Sequence, residues 1–214
     1  MMRSNLRGVC ARFLAVLLAA VVLAPAMGLA PEPDPVSKRW QLEVTPGDLR
    51  VVYVNTLDSS GAYVYFTYSV TNHTGDDLEF VPSFVLATDS GLSMMSGLGV
   101  PSSVTDHILR SLEHPFMQDQ IDILGPIQQG PENAKHGLVV WPLRDFRVDE
   151  IRVFGAGFSG ETETIELTDP RTGEEVELIF RKTLMMRFAS PGEIRVGEIG
   201  DDTFRVTEKR WIMR

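Results

Sequence analysis

Apolar and polar residues alternate with a period of two along most of this 214-residue chain. Successive side chains of a β-strand point to opposite faces, so the alternation predicts antiparallel strands that bury one face of a sheet. Only Lys182 interrupts the longest apolar stripe. The apolar stripes of the three clearest runs are Val64, Phe66, Tyr68 and Val70; Leu78, Phe80, Phe84 and Leu86; and Val176, Leu178, Phe180, Leu184, Met186 and Phe188.

Turn-forming residues separate these runs. Residues 169–173 (DPRTG) combine a proline, which presets the φ angle of a turn, with a glycine that accepts the left-handed conformation, and they predict a hairpin. Residues 71–77 (TNHTGDD) lie between two other runs, and we interpret them as a hairpin connection too. Further strand candidates are 42–44, 50–56, 137–141, 150–154, 163–167 and 204–213.

One segment has a helical period instead. Val104, Ile108 and Leu112 repeat at the spacing of a helix face, and Pro115 ends the segment. The fold class predicted from these elements is all-β: a two-sheet antiparallel β-sandwich with one short inserted helix at about 101–114.

The first residues have the three-part layout of a secretory signal. Arg3, Arg7 and Arg12 form a basic head, residues 13–24 are apolar, and residues 24–26 (APA) have the small-x-small pattern that signal peptidase recognises. We therefore predict a signal peptide over 1–26 and export to the periplasm or the extracellular space. An uncleaved N-terminal segment is the alternative, and it is the one membrane attachment that the sequence suggests.

The region after the predicted signal divides into two parts. Pro31, Pro33 and Pro35 alternate with acidic residues, which disfavours helices and central strands, so 27–39 is predicted to be a proline-rich linker. Residues 40–214 are numerous enough for a single β-sandwich domain with its own core.

The charge of the chain disfavours some classes of partner, and its cysteine content excludes a disulfide framework. The net charge of −9 becomes −12 when residues 1–26, with three arginines and no acidic residue, are removed. Such a surface disfavours nucleic acid and anionic lipid. Cys10 is the only cysteine and lies inside the predicted signal, so the exported chain has no disulfide framework, as is common in bacterial envelope proteins.

Sequence motifs for catalysis are incomplete. Residues 155–160 (GAGFSG) match G-x-G-x-x-G, but an acidic, strand-like segment follows where a dinucleotide site needs a helix. We interpret these glycines as a flexible or bulged strand connection. No complete G-x-S-x-G motif occurs, and we predict neither a catalytic activity nor a cofactor. A hydrolase with a site assembled from distant loops is one alternative.

The second alternative is a metal-binding protein of the periplasm. His107 and His114 lie seven residues apart in the predicted helix, about two turns. Asp119 and His136 could add ligands from nearby segments. A solvated helix face is the simpler interpretation of the same residues.

Aromatic residues suggest a binding surface. Tyr63 and Tyr65 lie on the face opposite the Val64 stripe, and Trp141 lies at a strand end before Pro142. Aromatic rings on an open sheet face can stack on sugars or anchor a protein partner. Alternatively, the 101–114 helix covers the two tyrosines.

Four short stretches combine strand and turn residues: 70–75 (VTNHTG), 80–82 (FVP), 87–91 (ATDSG) and 137–142 (GLVVWP). Together they resemble a group of bacterial extracytoplasmic immunoglobulin-like domains. The resemblance covers roughly 50–154 and implies an immunoglobulin-like sandwich of a family that is mostly of unknown function and has no shared catalytic residues. The 101–114 helix and the hairpin after Phe154 lie outside its pattern.

The function predicted from these observations is that of an exported, non-catalytic binding or scaffolding module. Its expected partner is an envelope or extracellular protein, or else a glycan.

Overall fold

The alternating runs form strands in the computed structural model, which describes residues 30–37, 39–144, 149–169, 171–189 and 203–214. The predicted signal peptide, 1–26, lies outside the described residues. Residues 31–214 cluster as one compact unit.

The strands are β1 (Glu43–Asn55), β2 (Ser60–Thr71), β3 (Leu78–Phe80), β4 (Ser83–Thr88), β5 (Ser93–Met95), β6 (Met117–Gln118), β7 (Gly125–Ile127), β8 (Lys135–Pro142), β9 (Glu150–Ala156), β10 (Thr162–Thr168), β11 (Glu175–Ala189), β12 (Thr203–Phe204) and β13 (Val206–Met213). The helices are α1 (Ser102–Ser111) and a 3-10 helix at Pro131–Asn133.

The strands form two main sheets. The first has the order β12-β1-β2-β8-β6, and the second has the order β10-β11-β9-β4-β5, with β13 also pairing with β11. A separate small pair joins β3 to β7. Among the described strands only β6 and β8 pair in parallel, so the predicted antiparallel, all-β architecture is confirmed.

The main core lies between the two sheets. Phe66 on β2 packs against Phe84 on β4 and Phe188 on β11, with ring centroids 6.1 and 5.9 Å apart. These contacts join the first sheet to the second, which makes the fold a sandwich. The stripe Val64, Phe66, Tyr68 and Val70 is buried here as predicted.

Helix α1 covers the outer face of the first sheet. Val104 and Ile108 of α1 pack with Tyr63, Tyr65 and Val140 in a second apolar cluster. The predicted helix is thus confirmed, and β2 is buried on both of its faces.

The segment 71–77 differs from the prediction. β2 pairs with β1 and β8, whereas β3 pairs with β7, so 71–77 is a connection between sheets and the hairpin interpretation was wrong. The reason is the fully buried Asn72 side chain, whose amide donates to the carbonyl oxygens of Asp76 (2.8 Å) and Ile127 (2.9 Å). These bonds tie the connection to β7.

The glycine-rich segment 155–160 ends β9 and connects it to β10, so it joins two strands as the sequence predicts. Gly157 has a φ angle of +90°, and a Cβ there would overlap the carbonyl oxygen of Val81. A Cβ at Gly160 would overlap the indole of Trp40. The lack of a side chain at Gly160 lets its amide approach the Trp40 carbonyl and donate to it at 3.0 Å.

The long apolar stripe of β11 has two environments. Leu184, Met186 and Phe188 are buried in the main core, but Val176 and Leu178 are about 40% exposed. The alternation predicted that the whole stripe is buried, and this was wrong for its first half. The change in environment occurs at Lys182. Residues 175–181 of β11 extend beyond β9 and β13, and β10 is the one described strand that pairs with them.

Lys182 forms a buried ion pair at that boundary. Its Nζ lies 2.8 Å from Oε2 of Glu161, and the two side chains are 3% and 10% exposed. The ammonium also donates to Ser37 Oγ (3.1 Å), while the Asp34 amide donates to Glu161 Oε1 (3.0 Å). The pair therefore binds residues 34–37 to the sandwich.

The same contacts set the ionisation of Glu161. Burial raises the pKa of its carboxyl, but the hydrogen bonds from Lys182 and Asp34 and the Lys182 charge outweigh burial, so the pKa lies below the ordinary 4.5. The stabilisation from the charged carboxylate is present above pH 4.5 and is lost as the pH falls below that value.

Replacing Lys182 with methionine is expected to lower the free energy of unfolding by about 3 kcal/mol, because Glu161 would remain buried and uncompensated. The double variant Lys182→Met with Glu161→Leu is expected to recover at least half of that loss, since no buried charge remains. Urea unfolding at pH 7.5 measures both. A double variant no more stable than Lys182→Met would contradict the assignment.

Gly157→Ala is expected to destabilise the protein by more than about 2 kcal/mol, because a left-handed alanine and an overlap with Val81 act together. Gly91→Ala is the matched control: Gly91 has a φ of +87° but nothing within 4 Å of a Cβ. It should cost only about 1 kcal/mol. Equal losses in the two variants would refute the packing argument.

Candidate functional site

The predicted aromatic binding residues lie in the interior. Tyr63 and Tyr65 are 6% and 8% exposed under helix α1, and Trp141 is fully buried, with its indole donating to the Met94 carbonyl at 3.2 Å. The alternative interpretation, that α1 covers the tyrosines, is what the structure shows. Because buried rings cannot stack on a ligand, a binding surface has to be sought elsewhere.

The four predicted metal ligands are only partly brought together. The rings of His114 and His136 lie 4.6 Å apart. His107 is on the exposed side of α1. Asp119 accepts hydrogen bonds from the amides of residues 121 and 122 at 2.8 Å, so its carboxylate stabilises a turn. Within the described part of the chain no three His, Cys, Asp or Glu side chains are grouped to hold a metal ion.

A surface pocket of about 500 Å³ lies beside His136, and we call it the His136 pocket. The parallel pairing of β6 with β8 places Met117 opposite His136, which brings Phe116 and Gln118 into the pocket lining. The 3-10 helix adds Glu132 to the same lining. The pocket therefore depends on residues that are distant in sequence.

An exposed aromatic ring lines this pocket. Phe116 is 72% exposed, and its ring stands edge-on to that of His114 at 6.4 Å. Its backbone amide donates to Nδ1 of His114 at 3.3 Å. The His114 ring thus contacts the rings of both Phe116 and His136, and these two line the pocket.

The polar groups of the pocket have different roles. Lys135 directs its Nζ to the carbonyl oxygens of Ile123 (2.8 Å) and Gly125 (3.4 Å). Over the described residues, neither the His136 imidazole nor the Glu132 carboxylate has a hydrogen-bond partner. Burial, and then the neighbouring His114, lower the pKa of His136. Its imidazole is consequently neutral above pH 6.5, with one donor and one acceptor nitrogen.

The second candidate surface is the hairpin formed by β10 and residues 175–181 of β11, which we call the hairpin arm. Its seven facing residue pairs span about 20 Å at the usual rise per strand residue. Ile165 faces Leu178, and Leu167 faces Val176, so one side of the ribbon is apolar. No other described strand pairs with either edge of the arm.

The opposite side of the hairpin arm is acidic. Glu166 lies directly across from Glu177, and Thr168 lies across from Glu175. Like charges at facing positions destabilise a pair of strands. Residues 162–181 contain six acidic residues and two arginines. The arm combines an uncovered apolar face with a net negative charge.

The sequence carried only weak signals for these two surfaces. Phe116 follows the proline that ends the helix, and nothing local distinguishes an exposed phenylalanine from a core one. The arm was predicted as a hairpin, and its two strands do pair, with the Gly173 amide donating to the Asp169 carbonyl at 2.7 Å. That its apolar side is open depends on the lengths of the neighbouring strands.

Comparisons with known proteins add no relative: no protein-family model, curated protein or solved structure matches the chain. Among the described residues no helix is long and apolar enough to cross a membrane.

The lowered pKa of His136 predicts an acid-sensitive contribution to stability. The unfolded chain takes up a proton near pH 6.5 while the folded chain resists it, so this contribution is present above pH 6.5 and is lost as the pH falls. His136→Gln should therefore lose less stability than the unaltered protein between pH 7.5 and 5.5, measured by urea unfolding. His107→Gln, on the exposed side of α1, is the control. Parallel losses in all three proteins would refute the prediction.

Proposed function

We propose that the protein is an exported, non-catalytic module that binds or scaffolds another protein of the cell envelope or extracellular space. The three-part N-terminal pattern supports export, and residues 40–214 are proposed to act as a single domain. The sheet arrangement and the 50–154 resemblance support an immunoglobulin-like version of the sandwich as part of the same proposal.

The observation that carries the proposal is the hairpin arm. A two-stranded ribbon is marginally stable in water unless one of its faces is packed against something. Here the pairs Ile165–Leu178 and Leu167–Val176 form an apolar face that no other described strand covers. Exposed apolar surface of this kind is typical of a protein interaction site.

The chemistry of the arm indicates the kind of partner. Its acidic side and turn favour a partner whose apolar groove is flanked by lysine or arginine. A second copy of this chain is disfavoured, because it has the same negative charge.

The test uses a variant of the apolar face, with Leu167, Val176 and Leu178 each replaced by threonine, which keeps the strand propensity. Ile179→Thr, on the opposite side of the arm, is the matched control. The unaltered protein and Ile179→Thr are expected to capture the same envelope protein, and the triple variant is expected to lose it at least about tenfold. Affinity capture from native envelopes, followed by titration with the purified partner, gives the measurement.

Two outcomes would contradict the proposal. One is equal affinity of the triple variant and the unaltered protein for the captured partner. The other is the absence of any partner sensitive to the arm. Circular dichroism and thermal unfolding of each variant establish that the sandwich itself is unchanged.

A further inference from the structure

We propose that the His136 pocket binds a neutral saccharide, with the ring of Phe116 as the stacking surface. The site is built from elements other than the hairpin arm, so this inference stands or falls independently of the proposed function.

The first argument is the position of Phe116. A phenylalanine that is 72% exposed gains little from the hydrophobic core. Its backbone amide donates to His114, and its ring stands edge-on to the His114 ring at 6.4 Å. The weakly polarised C–H face of a pyranose ring packs on such an aromatic face, because it removes apolar surface from water on both sides. A water-facing ring at a pocket wall suits this contact.

The second argument is the set of polar groups around the ring. Sugar hydroxyls both donate and accept hydrogen bonds. Glu132 offers carboxylate oxygens as acceptors, and neutral His136 offers one donor and one acceptor. Over the described residues neither side chain is engaged in another hydrogen bond. Gln118 is fixed at the same wall, since its Nε2 donates to the Asp122 carbonyl at 3.2 Å.

The third argument concerns charge. The Lys135 ammonium donates to two carbonyl groups, so it does not present a cation to an anionic ligand. The Glu132 carboxylate would repel an anion. A neutral, hydroxyl-rich ligand therefore fits better than a phosphate or a sugar acid.

The volume is consistent with this class of ligand. About 500 Å³ lies within the usual range of small-molecule sites and exceeds the size of one hexose.

The test is saturation-transfer NMR on the full chain with four neutral probes: cellotriose, maltotriose, tri-N-acetylchitotriose and mannotriose. Transfer to at least one of them is expected, with its affinity reduced about fivefold or more in Phe116→Ala. Phe116→Trp should keep the binding, because the stacking surface remains. Ile121→Ala removes an exposed apolar side chain that does not line the pocket, and it should bind as the unaltered protein does.

Three results would overturn the proposal. They are no transfer to any of the four sugars at millimolar concentration, transfer that is undiminished in Phe116→Ala, and binding of tri-galacturonate in place of the neutral sugars. The triple threonine variant of the hairpin arm should retain sugar binding, which separates this result from the test of the arm.

Discussion

The buried ion pair between Lys182 and Glu161 is the interaction on which the layout of the molecule depends. It lies at the end of the main core, where β11 continues as the hairpin arm. It also binds residues 34–37 through Ser37 and Asp34. A charged pair of this kind is stable only when both partners are present, because burial of either charge alone is costly. The stripe of β11 is apolar both before and after Lys182. Only the residues after Lys182, which lie beside β9 and β13, are packed in the main core.

Burial of β2 on both faces explains why the sandwich itself offers few functional groups. Phe66 and Tyr68 pack between the sheets, while Tyr63 and Tyr65 pack under α1. The central strands are thus used for stability, and chemically distinctive groups are left to the periphery. There the short parallel β6–β8 pairing and the 3-10 helix build the His136 pocket, and the excess length of β10 and β11 builds the hairpin arm. Rigid strands that position loops and extensions are the usual way for a sandwich to carry a binding site.

The two surfaces differ in the ligand they suit. The hairpin arm has an apolar face with acidic residues behind it, which fits a basic protein surface. The His136 pocket has an aromatic wall, a carboxylate and a neutral imidazole, which fits a neutral sugar. Neither assembles a nucleophile with a base. A module that holds an envelope protein with one surface and a glycan with another would act as a link between the two.

The strands, the helix and the hairpin of the arm could be predicted from the sequence, because alternation, helical spacing and turn residues are local properties. The glycines of 155–160 could likewise be assigned to a strand connection, since no helix follows them. Which faces are covered depends instead on tertiary packing. Tyr63 and Tyr65 alternate like surface residues, yet α1 covers them. Val176 and Leu178 alternate like core residues, yet both are about 40% exposed in the arm. The periodicity of a strand distinguishes its two faces, but burial depends on what packs against each face. What packs against a face is set by residues that are far away in the chain. Glu161 forms an ion pair with Lys182, and the Ile127 carbonyl accepts a hydrogen bond from Asn72.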